Sequence, residues 1–212
     1  MKTINIYHDT LTIQDLVCHH MSCTNVNAKK KEYIPCLTDP RTDLAFCYSQ
    51  LFLGKQAQVV VTTPIMICPF GINNQHNNFK LCLQFTNYKS DHEMNSFYEF
   101  IQECEYKQME LLGLGEDDSD LFVSQIRHDK QHKYDPNLEV KIPFSYNRFQ
   151  CDIYSDSYAG VGIMNISKFC KLQCDIYLDK IWTYNDTYIS KWKVKMIHLV
   201  WYTDALIPKD YL

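Results

Sequence analysis

The chain has 212 residues, of which 46% are hydrophobic and 14% aromatic, enough apolar material for one large domain with a real core. Its formal net charge is −4, from 21 basic and 25 acidic residues, which excludes a protein that grips duplex DNA over its whole surface. Any nucleic-acid site must therefore come from local segregation of charge, and a complement of only 6 glycines argues against a glycine-rich nucleotide-binding architecture.

The first residues, Met1 to Leu16, contain no apolar signal-peptide core, and no run approaches the roughly 18 apolar residues of a membrane helix. The 10 cysteines are scattered and often sit in strand-like runs, as at Cys82 and Cys174. They read as small hydrophobes with reduced thiols in an intracellular protein with no membrane partner. The sequons at Asn165 and Asn185 then go unused.

In chain order, residues 1–43 read as an irregular segment with a polar, basic stretch from Asn25 to Lys31. Residues 44–212 read as a single domain with a helical insertion near 90–133. Residues 44–66 form a predicted β-hairpin: Leu44 to Leu53 is strand-prone, Gly54-Lys55 turns, and Val59 to Thr63 is strongly β-branched until Pro64 interrupts it. Pro69-Phe70-Gly71 marks a turn and residues 73–78 a loop. From Phe79 to Phe85 the pattern has period two, with Phe79, Leu81, Leu83 and Phe85 on one face and Lys80, Cys82 and Gln84 on the other. A helix follows, capped by Ser90 with Glu93 completing a capping box, carrying a Phe97, Ile101, Cys104, Leu111 or Leu112 stripe, and stopped by Gly113. The acidic run Glu116 to Asp120 begins a second, shorter helix. His128 and His132 share a helix face, and Asp135-Pro136 turns into a strand from Leu138 to Phe144. Lys171 to Tyr177 alternates again, with Leu172, Cys174 and Ile176 on one face and Trp182 at the strand's end. Asn185-Asp186 turns the chain into a returning strand, Lys191 to His198. The elements sum to an α+β class, mainly antiparallel β.

The returning strand carries the most suggestive chemistry. Trp192, Val194 and Met196 share one face, and Lys191, Lys193 and Lys195 line the other about 7 Å apart. Such a spacing suits successive phosphates of an extended single strand, and Trp182, Tyr184 and Tyr188 lie close enough in sequence to stack on bases. The alternative is a solvated sheet edge whose lysines discourage pairing with another chain. Cys18, His19, His20 and Cys23, with Cys36 or Cys47 in completion, have zinc-binding chemistry, but the paired spacing of a zinc site is absent. No phosphate-binding loop, hydrolase elbow or His-Glu-x-x-His motif occurs, and no nucleophile stands with its base, so the chain reads as a non-enzyme without cofactor.

Several short motifs bear a likeness to a known group. Thr63-Pro64-Ile65-Met66 followed by Pro69-Phe70-Gly71, then Tyr134-x-Pro136, Ile181-Trp182 and Lys191-Trp192-Lys193, resemble the single-stranded DNA-binding proteins of nucleocytoplasmic large DNA viruses, of the African swine fever virus type. The likeness spans about residues 44–200; a turn glycine before Trp-Lys is missing, and Asn185-Asp186 and Ser190 stand there instead. The resemblance implies an OB-like barrel core with helical insertions that coats single strands during viral DNA replication, recombination or repair, in the host cytoplasm or nucleus. Under that reading Lys191, Lys193 and Lys195 neutralise phosphates, and Lys80, Lys141, Arg148, Lys168 and Lys171 extend the groove. Trp182, Tyr184 and Tyr188 stack on bases. Single-stranded DNA is the expected partner, with RNA, further copies of the chain and viral replication proteins as additional ones. The competing expectations are a viral structural or protein-interaction module, and a metal-dependent nuclease using Glu116, Asp117, Asp118 and Asp120.

Overall fold

Period-two burial organises the molecule around one closed sheet. The computed structural model describes residues 57–178, 180–184 and 187–201, together with short strands at 2–7, 16–19, 37–38, 45–48 and 50–53. Six strands and one helix matter most: β1 (Ala57–Thr62), β2 (Met66–Cys68), β3 (Asn78–Gln84), α1 (His92–Leu111), β4 (Asn137–Ile142), β5 (Cys170–Leu178) and β6 (Trp192–Trp201). In β3, Phe79, Leu81 and Leu83 are buried while Lys80, Cys82 and Gln84 are half-buried on the opposite face, as the alternation predicts. β4 repeats the pattern, with Leu138, Val140 and Ile142 inside.

The strands close on themselves. β2 meets β3 at Ile67 and Gln84, and β3 runs antiparallel to β4 from Gln84–Asn137 to Phe79–Ile142. β4 is parallel to β6 through Val140–Trp192 and Lys141–Lys193, and β6 is antiparallel to β5 along its whole length. β5 returns to β2 at Leu172–Met66 and to β1 at Ile176–Val61, which completes the ring. If β1 and β2 are counted as one bent strand, this is a five-stranded barrel whose third strand lies parallel to its fifth. That is an OB-like Greek-key barrel in an α+β chain. Its interior is filled by Met66, Leu81, Leu138, Leu172, Ile176, Trp192 and Val194 among others, all at most 1% exposed.

The bend between β1 and β2 has a local cause. Pro64 has no N–H for the ladder, and Thr63 makes good the break. Its N–H donates to the Cys174 carbonyl at 2.9 Å, its Oγ1 accepts from the Cys174 N–H at 3.0 Å and donates to the Pro64 carbonyl at 2.8 Å. Thr63 thus clasps β5 at the one point where the first strand cannot pair.

Helix α1 starts one residue later than the Ser90 cap implies. Asp91 is the cap, its Oδ1 accepting from Met94 N–H at 3.0 Å, whereas Ser90 Oγ donates back to the Asn87 carbonyl. Asp and Ser cap equally well, so sequence type alone did not separate them. The predicted stop is where expected: Gly113 has φ +65, its N–H reaches the Glu110 carbonyl, and the Leu114 N–H reaches the Met109 carbonyl, a Schellman closure. Phe97, Ile101 and Cys104 face the barrel core. No described helix is long and apolar enough to cross a membrane.

Other expectations need correction. The strand read at 44–53 divides: Gln50–Leu53 pairs with β1, while Ala45–Tyr48 joins a second sheet beside Lys180–Tyr184. The predicted Gly54-Lys55 turn lies outside the described residues. β5 ends at Leu178, and Trp182 belongs to a separate strand that pairs with Thr187–Ile189. Glu116–Leu121 is a 3-10 helix, with Asp118 Oδ2 accepting from the Gly115 N–H at 3.1 Å. His128 and His132 stand in a loop, not on a helix, although their rings are 6.2 Å apart. Within residues 1–43, Lys2–Tyr7 is a strand parallel to β1 and Leu16–His19 pairs with Gln50–Leu53.

Two outcomes follow. Thr63→Val keeps the side-chain volume but leaves the buried Cys174 N–H without its acceptor, so urea unfolding is expected to show a loss of about 1–3 kcal/mol; an unchanged midpoint would refute the clasp. Glu105, at 9% exposure, accepts from Ser124 Oγ and Gln125 N–H, both at 2.7 Å, and burial pushes its carboxyl pKa up while those bonds pull it down. A folded-state pKa above the unfolded one gives stability that is present below about pH 4.3 and is lost as pH rises through the folded value. The stability of Glu105→Gln relative to the parent should therefore rise with pH across that window in urea titrations at several pH values; a pH-independent difference would contradict it.

Candidate functional site

The returning strand is not an edge. β6 is hydrogen-bonded to β5 on one side, and on the other to β4 at its start and to Asp152–Tyr154 further along. Its lysines therefore have no pairing edge to protect, which removes the edge reading and calls for another account of them.

Nor do the three lysines form one straight line. Trp192 and Val194 are buried as predicted, but the ladder to β5 shifts register between Asp175, opposite Met196, and Ile176, opposite Val194. Lys195 is the extra residue of a β-bulge and is exposed. The bulge reverses the phase, so Ile197 and Leu199 enter the core and Met196 does not. A period-two reading carried past residue 194 misses this, and nothing local in Lys195-Met196 signals it.

What the register does assemble is a row running across the strands. Lys80 on β3 is opposite Lys141 on β4, Lys141 is opposite Lys193 on β6, and Lys193 is opposite Tyr177 on β5. Asn73, in the short Asn73–Gln75 strand, flanks Lys80 on the far side. All of these except the exposed Asn73 are half-buried, and all lie on the outer face of the barrel. Strands stand about 4.8 Å apart, so the three lysines span roughly 10 Å. Lys80 Nζ also holds Glu139 Oε1 at 2.7 Å, with both side chains partly exposed. Such a pair is worth about 0–1 kcal/mol, little enough for a competing anion to displace. Like charges placed directly opposite each other on a sheet cost stability. Three lysines thus stand in register on a chain that is acidic overall.

The other candidates fall elsewhere. Lys191 directly precedes β6 and is half-buried. Lys171 is opposite Ile67 and Trp201, away from the row, and Lys168 lies in the loop before β5. That loop packs on the Pro69-Phe70-Gly71 turn. Gly71 has φ +68, and a Cβ there would meet the Ile166 carbonyl oxygen at 3.0 Å, so this turn requires glycine. Phe70 and Phe169, each 60% exposed, flank this contact. Trp182 and Tyr184 are opposite Ile189 and Thr187 in the hairpin joining β5 to β6; the orientation of their rings lies outside the described residues. Tyr188 is half-buried and packs on the cluster of Leu112, Leu114, Phe122 and Ile181, which takes up part of its ring. Arg148 is exposed on a small hairpin that follows β4. Tyr177 and Phe169 were not singled out in the sequence, and Phe70 was noted only within the Pro69-Phe70-Gly71 motif. For Tyr177 the signal was its outward phase in β5.

Among the described residues no group of three or more His, Cys, Asp or Glu is placed to hold a metal. His20, Cys23 and Cys36 lie outside the described residues, as do the side chains of Cys18, His19 and Cys47. Burial pushes the Cys68 thiol up to about 12 and Cys151 to about 11, and drives Cys174 well above its ordinary value, so these sulfurs behave as packing groups.

No family model matches the sequence, and no curated protein matches it. Among solved structures the chain is similar to the crystal structure of gp2.5, a single-stranded DNA binding protein encoded by bacteriophage T7. The TM-score is 0.48 at 12% identity, over 71% of this chain and 91% of that one.

Proposed function

We propose that this chain is a non-enzymatic single-stranded DNA-binding protein of a large DNA virus that coats strands during replication, recombination or repair, with residues 44–212 as its binding domain. The observation that carries the reading is the Lys80–Lys141–Lys193 row, continued by Tyr177, on the outer face of a closed OB-like barrel. OB barrels take oligonucleotides on the face of their second and third strands, between the loop joining strands one and two and the loop joining strands four and five. Here those strands are β3 and β4, which contribute Lys80 and Lys141. The flanking loops are residues 69–77, which contain Phe70, and residues 179–191, which contain Trp182, Tyr184 and Tyr188. Cations that track the backbone beside rings that accept any base form a sequence-tolerant single-strand site. Lys191, Lys195 and Arg148 extend the positive rim, and Lys168 and Lys171 serve a strand that passes over the Gly71 turn. The acidic balance of the whole chain then discourages non-specific duplex binding while the row concentrates positive charge in one place.

Filter binding of oligothymidylate, RNA and duplex across a salt series tests this. The parent is expected to bind single strands in preference to duplex, with a steep salt dependence. Changing Lys80, Lys141 and Lys193 together to Glu should weaken binding by about 100-fold or more and flatten the salt slope by about 2, at roughly 0.7 per phosphate contact. The pair Lys168→Glu and Lys171→Glu should cost less. Unaltered affinity in the triple variant would sink the site, and the absence of any oligonucleotide shift at low salt would sink the function.

A further inference from the structure

A six-residue β-finger rises one residue pair beyond the lysine row. In the barrel, Phe79 is opposite Ile142, next to the Lys80–Lys141 pair. The chain leaves β4 through Pro143 and forms a hairpin in which Phe144 is opposite Phe149 and Ser145 is opposite Arg148. Two residues make the turn, Tyr146 with φ +51 and Asn147 with φ +56. Positive φ at both positions is the geometry whose twist matches a tight hairpin, and it favours Asn or Gly. Asn147 obeys that preference and Tyr146 does not: a bulky side chain at positive φ is uncommon and strained. The ring gains nothing in return from packing, since Tyr146 is 93% exposed, the highest value among the exposed large hydrophobic residues that the structure describes.

The finger is nevertheless held firmly at its base. Phe144 and Phe149 pack at 5.1 Å between centroids, and Phe79 meets them at 4.9 Å and 4.8 Å, an interlocked aromatic triad rooted in the barrel core. Gln150 braces the stem: its N–H donates to the Pro143 carbonyl at 2.8 Å, and its Nε2 donates to the Ser145 and Arg148 carbonyls, each at 3.3 Å. A strained aromatic tip on a well-anchored stem is a place where conformational cost is set aside for binding. Beside the tip stands the exposed cation Arg148.

We infer that Tyr146 is a base-stacking platform and that Arg148 holds an adjoining phosphate, so that the finger forms one wall of the single-strand path. Building on the single-strand reading above, this assigns a specific residue to base contact. A base presents a flat π-face that a tyrosine ring accepts whatever the sequence, and the charge beside the ring fits the backbone that accompanies the base. A rigid finger gives that contact at low ordering cost.

The test compares oligothymidylate with an abasic oligomer of equal length, which keeps the phosphates and lacks the bases. Tyr146→Asn suits the turn and should leave thermal stability equal or higher. It is expected to weaken oligothymidylate binding by roughly 5- to 150-fold, the range of one base–aromatic stack, with abasic binding and its salt slope unchanged. Tyr146→Trp should retain the preference for the base-bearing strand, and Arg148→Gln should weaken both ligands alike. Parent-like oligothymidylate affinity in Tyr146→Asn would overturn the platform while leaving the lysine row standing. A parent protein that binds neither ligand would instead overturn the single-strand reading itself.

Discussion

The double pairing of β6 is the constraint on which the rest depends. Between Trp192 and Trp201 the strand is bonded to β5 on one edge, and on the other to β4 and then to Asp152–Tyr154. Its parallel ladder to β4 converts a meander into a barrel, since the other neighbours in the ring are antiparallel. The same ladder brings Lys193 beside Lys141 and thereby completes the transverse row. Barrel closure and the lysine row thus share two register pairs, Val140–Trp192 and Lys141–Lys193.

Closure sets demands at the corners. The first strand must serve two neighbours, β5 and β3, and it does so by breaking at Pro64, where Thr63 restores the lost bonds to Cys174. The fifth strand must follow the curve, and the bulge at Lys195 lets it bend and turns its later residues into the core. The turn at Gly71 brings the loop between the first two strands against the approach to β5 with backbone contact that a side chain would block.

Elements with a strong local signal were legible in the sequence. The β3 alternation, the inward faces of β5 and the Gly113 stop all follow from residue type and spacing. The OB-like class came from resemblance in short motifs, and the ladder order supports it. What sequence could not supply was pairing. The lysine row joins residues 80, 141 and 193, which share no local pattern, and only the register makes them neighbours. The three lysines that looked like one device along β6 are separated by a bulge with no local marker. Tyr146 escaped notice for a related reason: its positive φ and its exposure are not written in the residue type.

Backbone amide shifts in an NMR titration with a short oligothymidylate test the central claim most directly. If the transverse row is the binding surface, the largest shifts will map to Lys80, Lys141, Lys193 and Tyr177 and to their neighbours on β3, β4, β5 and β6, and they will recede as salt is raised. Shifts concentrated on the acidic Glu116–Leu121 turn or on the outer face of α1, with the row unmoved, would contradict it.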